Sequence, residues 1–163
     1  MAEFYFDAVR LSEIDLVSRT TLTDPHLAYR PPALLSQSQA AGHLLAGRDS
    51  HGTLVGWVEI YSLWGRDWGI STLYVFPHWR RRGLGARLLH RADRQLSSRR
   101  VFIATRHPSV AKTLLTLHYH PLDFWQVPKL ALAAQAFTRY YHPASWLKLF
   151  TSAGRGLKYY VRP

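Results

Sequence analysis

From Leu73 to Leu89 the chain reads LYVFPHWRRRGLGARLL: a short apolar run, a proline break, three arginines, two closely spaced glycines and the start of an apolar stripe. No other stretch limits the available folds as much. Tyr74, Val75 and Phe76 favour extended backbone, and Pro77 halts it. Leu84, Leu88, Ala92 and Leu96 then recur every four residues while Arg87, Arg91 and Arg94 lie off that stripe, which predicts an amphipathic helix. Gly83 and Gly85 at the junction permit positive φ and a close approach of backbone to a ligand. The first N–H groups of such a helix have no internal acceptor and sit at the positive end of its dipole. A strand that enters a helix through Arg80-x-x-Gly83-x-Gly85 is therefore suited to cradle a pyrophosphate. A tight turn closed by glycines is the plainer alternative. A bare basic patch for nucleic acid would not need both glycines before a helix.

The elements around this junction alternate in type. FYFDAVR predicts a first strand, and LSEIDLVSR a helix carrying Leu11, Ile14 and Leu16 or Val17 with Ser12 as cap. Prolines 25, 31 and 32 mark a loop, and ALLSQSQAAG a short helix. HLLAGRDSHGTLVGWVEIYSL predicts a hairpin turning at Asp49-Ser50-His51-Gly52. After the arginine-rich helix come a strand, VFIAT, and a helix begun by Pro108 with Val110, Leu114 and Leu117 on one face. LDFWQV and GLKYYVRP predict the last strands, with residues 128–156 as a helical insertion or lid between them. The fold class is α/β in the broad sense (α+β), antiparallel hairpins followed by a strand–helix–strand unit, in one domain over 1–163.

Charge is unevenly placed. Residues 1–93 hold ten Arg or Lys against nine Asp or Glu, whereas 94–163 hold eleven against one, Asp123, giving a net +11 overall. This asymmetry points to an anionic ligand, partner or surface, against the bland reading of a basic solvated face. The lack of cysteine excludes disulfides and thiolate metal sites. No pair of histidines shows metal-ligand spacing with a carboxylate. With no membrane-length apolar run and no signal-peptide layout, the expectation is a cytoplasmic protein with no integral membrane segment.

At LYVFPHWRRRGLGARLL the chain resembles the GCN5-related N-acetyltransferase (GNAT) superfamily, and the order of elements agrees from about residue 3 to residue 127. The resemblance implies a mixed, mostly antiparallel central sheet flanked by helices. It implies acetyl-CoA as co-substrate, its pyrophosphate held by Arg80, Arg81, Arg82, Gly83, Leu84, Gly85 and Ala86. Leu73, Tyr74 and Val75 would offer backbone to the pantetheine arm and to the acetyl carbonyl. The implied reaction is N-acetylation, by direct attack of a primary amine in a ternary complex.

The family's second signature departs here. Aligning RHPSVAKTLLTLHYHPL puts Leu114, or Leu115 after a one-residue slip, where the family commonly has a tyrosine that protonates the departing thiolate. The strand position that some members use for a base falls at Gly69. Glu59 and Asp67 are the nearest carboxylates; a solvent-facing strand position and a turn hydrogen bond are their respective plain readings. His118, a residue type that can serve as a base near neutral pH, and Tyr119, as a substitute acid, complete the catalytic candidates, each with a structural alternative. Trp57, Tyr61, Trp64 and Trp68 suggest an aromatic wall for an acceptor, or simply core.

The basic, ring-rich region 128–163 suits a lid, RNA or aminoacyl-tRNA, or an anionic surface. Strong positive charge disfavours polyamines, so the expected acceptor is neutral or acidic: a peptide, an aminoacyl group or a small-molecule amine. A catalytically silent GNAT-fold module binding nucleic acid or protein through that region is the competing function. Transfer of a longer acyl group and formation of a homodimer are left open.

Overall fold

The computed structural model describes residues 4–63, 67–123 and 158–163. Trp64, most of LDFWQV and the expected insertion at 128–156 lie outside the described residues. The elements run β1 (Tyr5–Ala8), α1 (Ile14–Thr23), α2 (Pro32–Ala40), β2 (Leu44–Arg48), β3 (Leu54–Ser62), β4 (Asp67–Val75), α3 (Leu84–Gln95), β5 (Arg100–Thr105), α4 (Pro108–Thr116), β6 (His120–Leu122) and β7 (Lys158–Arg162). They form one sheet in the order β1-β2-β3-β4-β5-β7-β6. Every neighbouring pair is antiparallel except β4 with β5. The expected mixed, mostly antiparallel sheet is present.

Strand β3, third of the seven, is buried from Leu54 to Tyr61, so both of its faces meet core. On one face Val58, Ile60, Ile70, Val101 and Ile103 pack against Leu84, Leu88, Leu89 and Ala92 of α3 and Leu114 of α4. The predicted stripe is thus the buried side of α3. The helix lies close because the strands beneath it are small: a Cβ on Gly47 would come within 3.1 Å of Leu84, and one on Gly56 within 2.6 Å of the Tyr74 carbonyl. On the other face Trp57, Leu44, Ala46 and Leu54 pack with Ile14 and Val17 of α1 and Leu35 of α2.

Ser12 is not the cap of the first helix. A 3-10 turn at Leu11–Glu13 precedes α1, and the Glu13 carboxylate accepts from the Arg10 N–H at 2.8 Å, closing the chain entry. The hairpin turns at Asp49 as expected, its carboxylate accepting from the N–H groups of His51 (3.0 Å) and Thr53 (2.9 Å).

Candidate active site

Two features converge beside β4. The first is the entry to α3. Arg81 (φ 63°) and Gly83 (φ 77°) are both left-handed, and this doubles the chain back so that α3 starts at Leu84. The first bond inside the helix runs from the Arg87 N–H to the Gly83 carbonyl at 3.1 Å. The amides of Leu84, Gly85 and Ala86 therefore have no acceptor within the helix, no side chain caps them, and the first turn carries no acid. Added Cβ atoms meet nothing within 4 Å at Gly83, and only Val75 Cγ2, at 3.7 Å, at Gly85. Packing within the protein gives no reason for glycine at 85; open space above the backbone does.

The second feature is the far half of β4. The register with β3 slips between Glu59 and Ile60, which pair with Thr72 and Ile70, so Ser71 is the extra residue of a β-bulge. The pairing of β4 with β5 ends at that point, the last pair being Ile70 with Ile103. A bulge bends its strand, and here it separates β4 from its parallel neighbour. Phe76 donates its N–H to the Val55 carbonyl at 3.1 Å, so by alternation Tyr74 also pairs back to β3 while Leu73 and Val75 face the opening. Of the three residues expected to meet a thioester, Leu73 and Val75 turn their backbone groups away from β3 and Tyr74 turns its own toward it. The Val75 carbonyl already accepts from Arg80 Nε at 2.9 Å. Arg80 is thus fixed as a wall of the loop, whereas Arg81 and Arg82 are exposed beside it.

Glu59 is not at a solvent-facing position. It is fully buried on the α1/α2 side, ion-paired with Arg30, which is itself buried. It also accepts from Ser38 Oγ at 2.8 Å and from Ser71 Oγ at 3.1 Å. The cluster reaches the bulge through Ser71, whose hydroxyl also lies 3.1 Å from that of Thr72. His43 stands nearby, its imidazole edge against Trp68 at 4.9 Å; burial lowers its pKa, with the Glu59 charge pulling the other way. Nothing in the sequence marked Arg30, Ser38, Ser71 or His43. They come from separate segments joined only by the sheet.

The other candidates have structural roles. The Tyr119 hydroxyl donates to Asp93 Oδ1 at 2.7 Å inside the core, and Arg162 holds the same carboxylate. Burial first, then the bond to Asp93, raises the phenol well above its usual value. Asp93 lies nine residues, about 13 Å of helix, from the start of α3. Tyr119 is therefore turned away from the cradle. His118 is exposed and left-handed (φ 61°) where α4 ends, so it shapes a helix terminus. Leu114 is buried and Leu115 exposed, and neither side chain titrates. Asp67 makes a two-pronged pair with Arg100 at 2.8 and 2.6 Å, and the rest of its turn lies outside the described residues. The expected aromatic wall divides: Trp57 packs with the α1/α2 core and Trp68 against the α3/α4 core. A different trio forms instead, Trp57, Tyr74 and Phe76, with centroids 4.7 to 5.7 Å apart.

The fold agrees with what known proteins show. Residues 10–113, well over half the chain, match the model of the acetyltransferase (GNAT) family. The chain belongs to that family. Among solved structures, the Mycobacterium tuberculosis protein Rv2747, in complex with CoA and NLQ, superposes with a TM-score of 0.71 at 17% identity over 96% of this chain and 97% of that one. N-acetylglutamate synthase from Neisseria gonorrhoeae, complexed with coenzyme A and N-acetyl-glutamate, gives 0.68 at 16% identity over 99% of this chain and 35% of the other. Arabidopsis thaliana Naa50, in complex with the bisubstrate analogue CoA-Ac-MVNAL, gives 0.64 at 15% identity over 97% and 96%. At these identities the superpositions establish a shared GNAT fold. No curated protein sequence gives a match. Among the described residues no helix of this GNAT chain is long and apolar enough to cross a membrane, and no cluster suited to a metal ion occurs.

Proposed function

We propose that this GNAT-family chain transfers an acetyl group from acetyl-coenzyme A to a primary amine by direct attack in a ternary complex. The observation that carries the reading is the uncapped start of α3, with Gly83 and Gly85 opening onto free space beside a β4 released from β5. The amides from Arg82 to Ala86 bind the pyrophosphate, and the exposed guanidinium groups of Arg81 and Arg82 add charge around it. The pantetheine arm lies along Leu73 to Val75, whose outward N–H groups stabilise the oxyanion. Solved structures of this fold that hold coenzyme A support the same use of the cleft.

For the amine proton, Ser71 offers a route from the bulge to the buried Glu59 carboxylate. Arg30 and Ser38 keep that carboxylate aimed at Ser71. Tyr119 is committed to Asp93, so the departing thiolate takes its proton from water. The half-buried Tyr74 and Phe76 rings, backed by the buried Trp57 and with Arg80 set 5.5 Å over Tyr74, border the acceptor side. They suit a neutral or acidic amine, a peptide or amino-acid class consistent with the acceptor portions seen in the Naa50 and N-acetylglutamate synthase complexes.

Titration calorimetry with acetyl-coenzyme A tests the cradle. Wild type should bind, and Gly85→Trp, whose ring enters open space without disturbing the core, should lose binding while unfolding at a temperature close to wild type. Unchanged affinity in that variant would overturn the reading. Thiol release over a panel of peptide and amino-acid amines then tests turnover. Binding without release for any amine would favour the silent module. Ser71→Ala should lower kcat with little effect on coenzyme affinity.

A further inference from the structure

The outer side of α3 carries a second cationic feature, separate from the cradle. A groove of about 430 Å³ runs between α3 and β1, lined by Phe6, Arg87, His90, Arg91 and Arg94. The three arginines lie at i, i+4 and i+7, a stripe about 10 Å long on one helix face. No acid is among the residues that line the groove. Asp93, the one acid of α3, is turned inward to Tyr119 and Arg162, and Asp7 of β1 is bound to Arg48. Arg91 and Arg94 have no acidic partner among the described residues. Outside the described residues the sequence holds a single acid, Glu3. An uncompensated row of guanidinium groups costs self-repulsion, and an anion laid along it removes that cost.

We infer that this groove binds a single-stranded nucleic acid, the phosphates on Arg87, Arg91 and Arg94 and a base on the stack of Arg87 over Phe6. The stripe matches about two or three successive phosphates. Guanidinium forks grip phosphate oxygens in pairs. The half-buried Phe6 ring backs the exposed Arg87 guanidinium, 5.2 Å over it, and a base laid on that planar stack distinguishes a base-bearing polymer from an acidic peptide. Because the groove faces β1, on the sheet edge remote from β5, a strand bound here leaves the coenzyme cleft open.

The probe is a fluorescein-labelled 12-residue oligouridylate, followed by anisotropy across a salt series with the full chain. Each phosphate contact contributes about 0.7 to the slope of log K against log salt. Arg91→Gln with Arg94→Gln should therefore lower the slope by about 1.4 and weaken binding roughly 25-fold at 0.1 M salt. Calorimetric affinity for acetyl-coenzyme A should not change in that double variant. Phe6→Leu, which preserves apolar filling, should weaken oligouridylate binding without altering the slope. Wild-type affinity and slope in the double variant would overturn the inference. So would equal competition by polyglutamate of matching charge, or by phosphatidylserine vesicles. Loss of coenzyme binding in the wild type would remove the acetyl-transfer reading and leave this one standing.

Discussion

The two faces of the sheet use the same side chain in opposite ways. On the α1/α2 face two arginines are consumed internally. Arg48 is fully buried and holds Asp7, Glu13 and the carbonyls of Ala8 and Gly52, and Arg30 holds Glu59. On the α3 face Arg81, Arg82, Arg91 and Arg94 project into solvent with no acid to meet them among the described residues. The acids explain the difference. Asp7, Glu13 and Glu59 lie on the first face, whereas the sole acid of α3 is locked in the core. A guanidinium that finds a carboxylate at folding becomes part of the scaffold; one that does not remains available for an anionic ligand.

Removing the most enclosed arginine should have the largest effect. Arg48→Ala leaves two carboxylates and two carbonyls without their donor, and should cost about 3–5 kcal/mol in urea unfolding. A loss below 1 kcal/mol would break the contrast. Its pH dependence sharpens it. Burial pushes Glu13 up, but the Arg48 hydrogen bond and charge, with the Arg10 N–H, hold it net below 4.5. The folded-state pKa is the lower one, so Glu13 contributes fully above about pH 4.5 and its contribution fades as pH falls through the folded value. The acid limb of the stability curve should flatten in the Arg48 variant.

Next comes the inward acid. Tyr119→Phe should cost about 1 kcal/mol by deleting a buried hydrogen bond, while kcat and the basic limb of the pH–rate profile stay put. A collapse of that limb would restore Tyr119 as the acid. On the open side, Gly85→Ala should raise the stability of the free protein by about 0.5–1 kcal/mol, because the site is helical and uncrowded, yet weaken acetyl-coenzyme A. The smallest effect belongs to the intermediate case, an exposed arginine that does have a partner. Asp67→Asn should cost less than about 1 kcal/mol, since half of the Arg100 side chain is in water.

The cradle was legible because its determinants are contiguous. Proline stops β4, the glycines shape the turn, and the four-residue stripe commits α3 to one face. The fold followed from similar local signals, down to the Asp49 turn. The cluster around Glu59 was not legible. Glu59 alternates with Val58 and Ile60 like any half-exposed strand residue, and only the pairing of α1 and α2 over that face shows it to be buried. Tyr119 and Asp93 are 26 residues apart, and neither announces the other.

What the chain determined by itself, then, was the junction, where backbone conformation and a helix dipole depend on a few neighbours in order. Tertiary structure alone decided which charges became neutral pairs and which stayed free. Ion pairing depends on distances across the sheet, such as Arg30 to Glu59 or Arg48 to Asp7, and local sequence does not encode those distances.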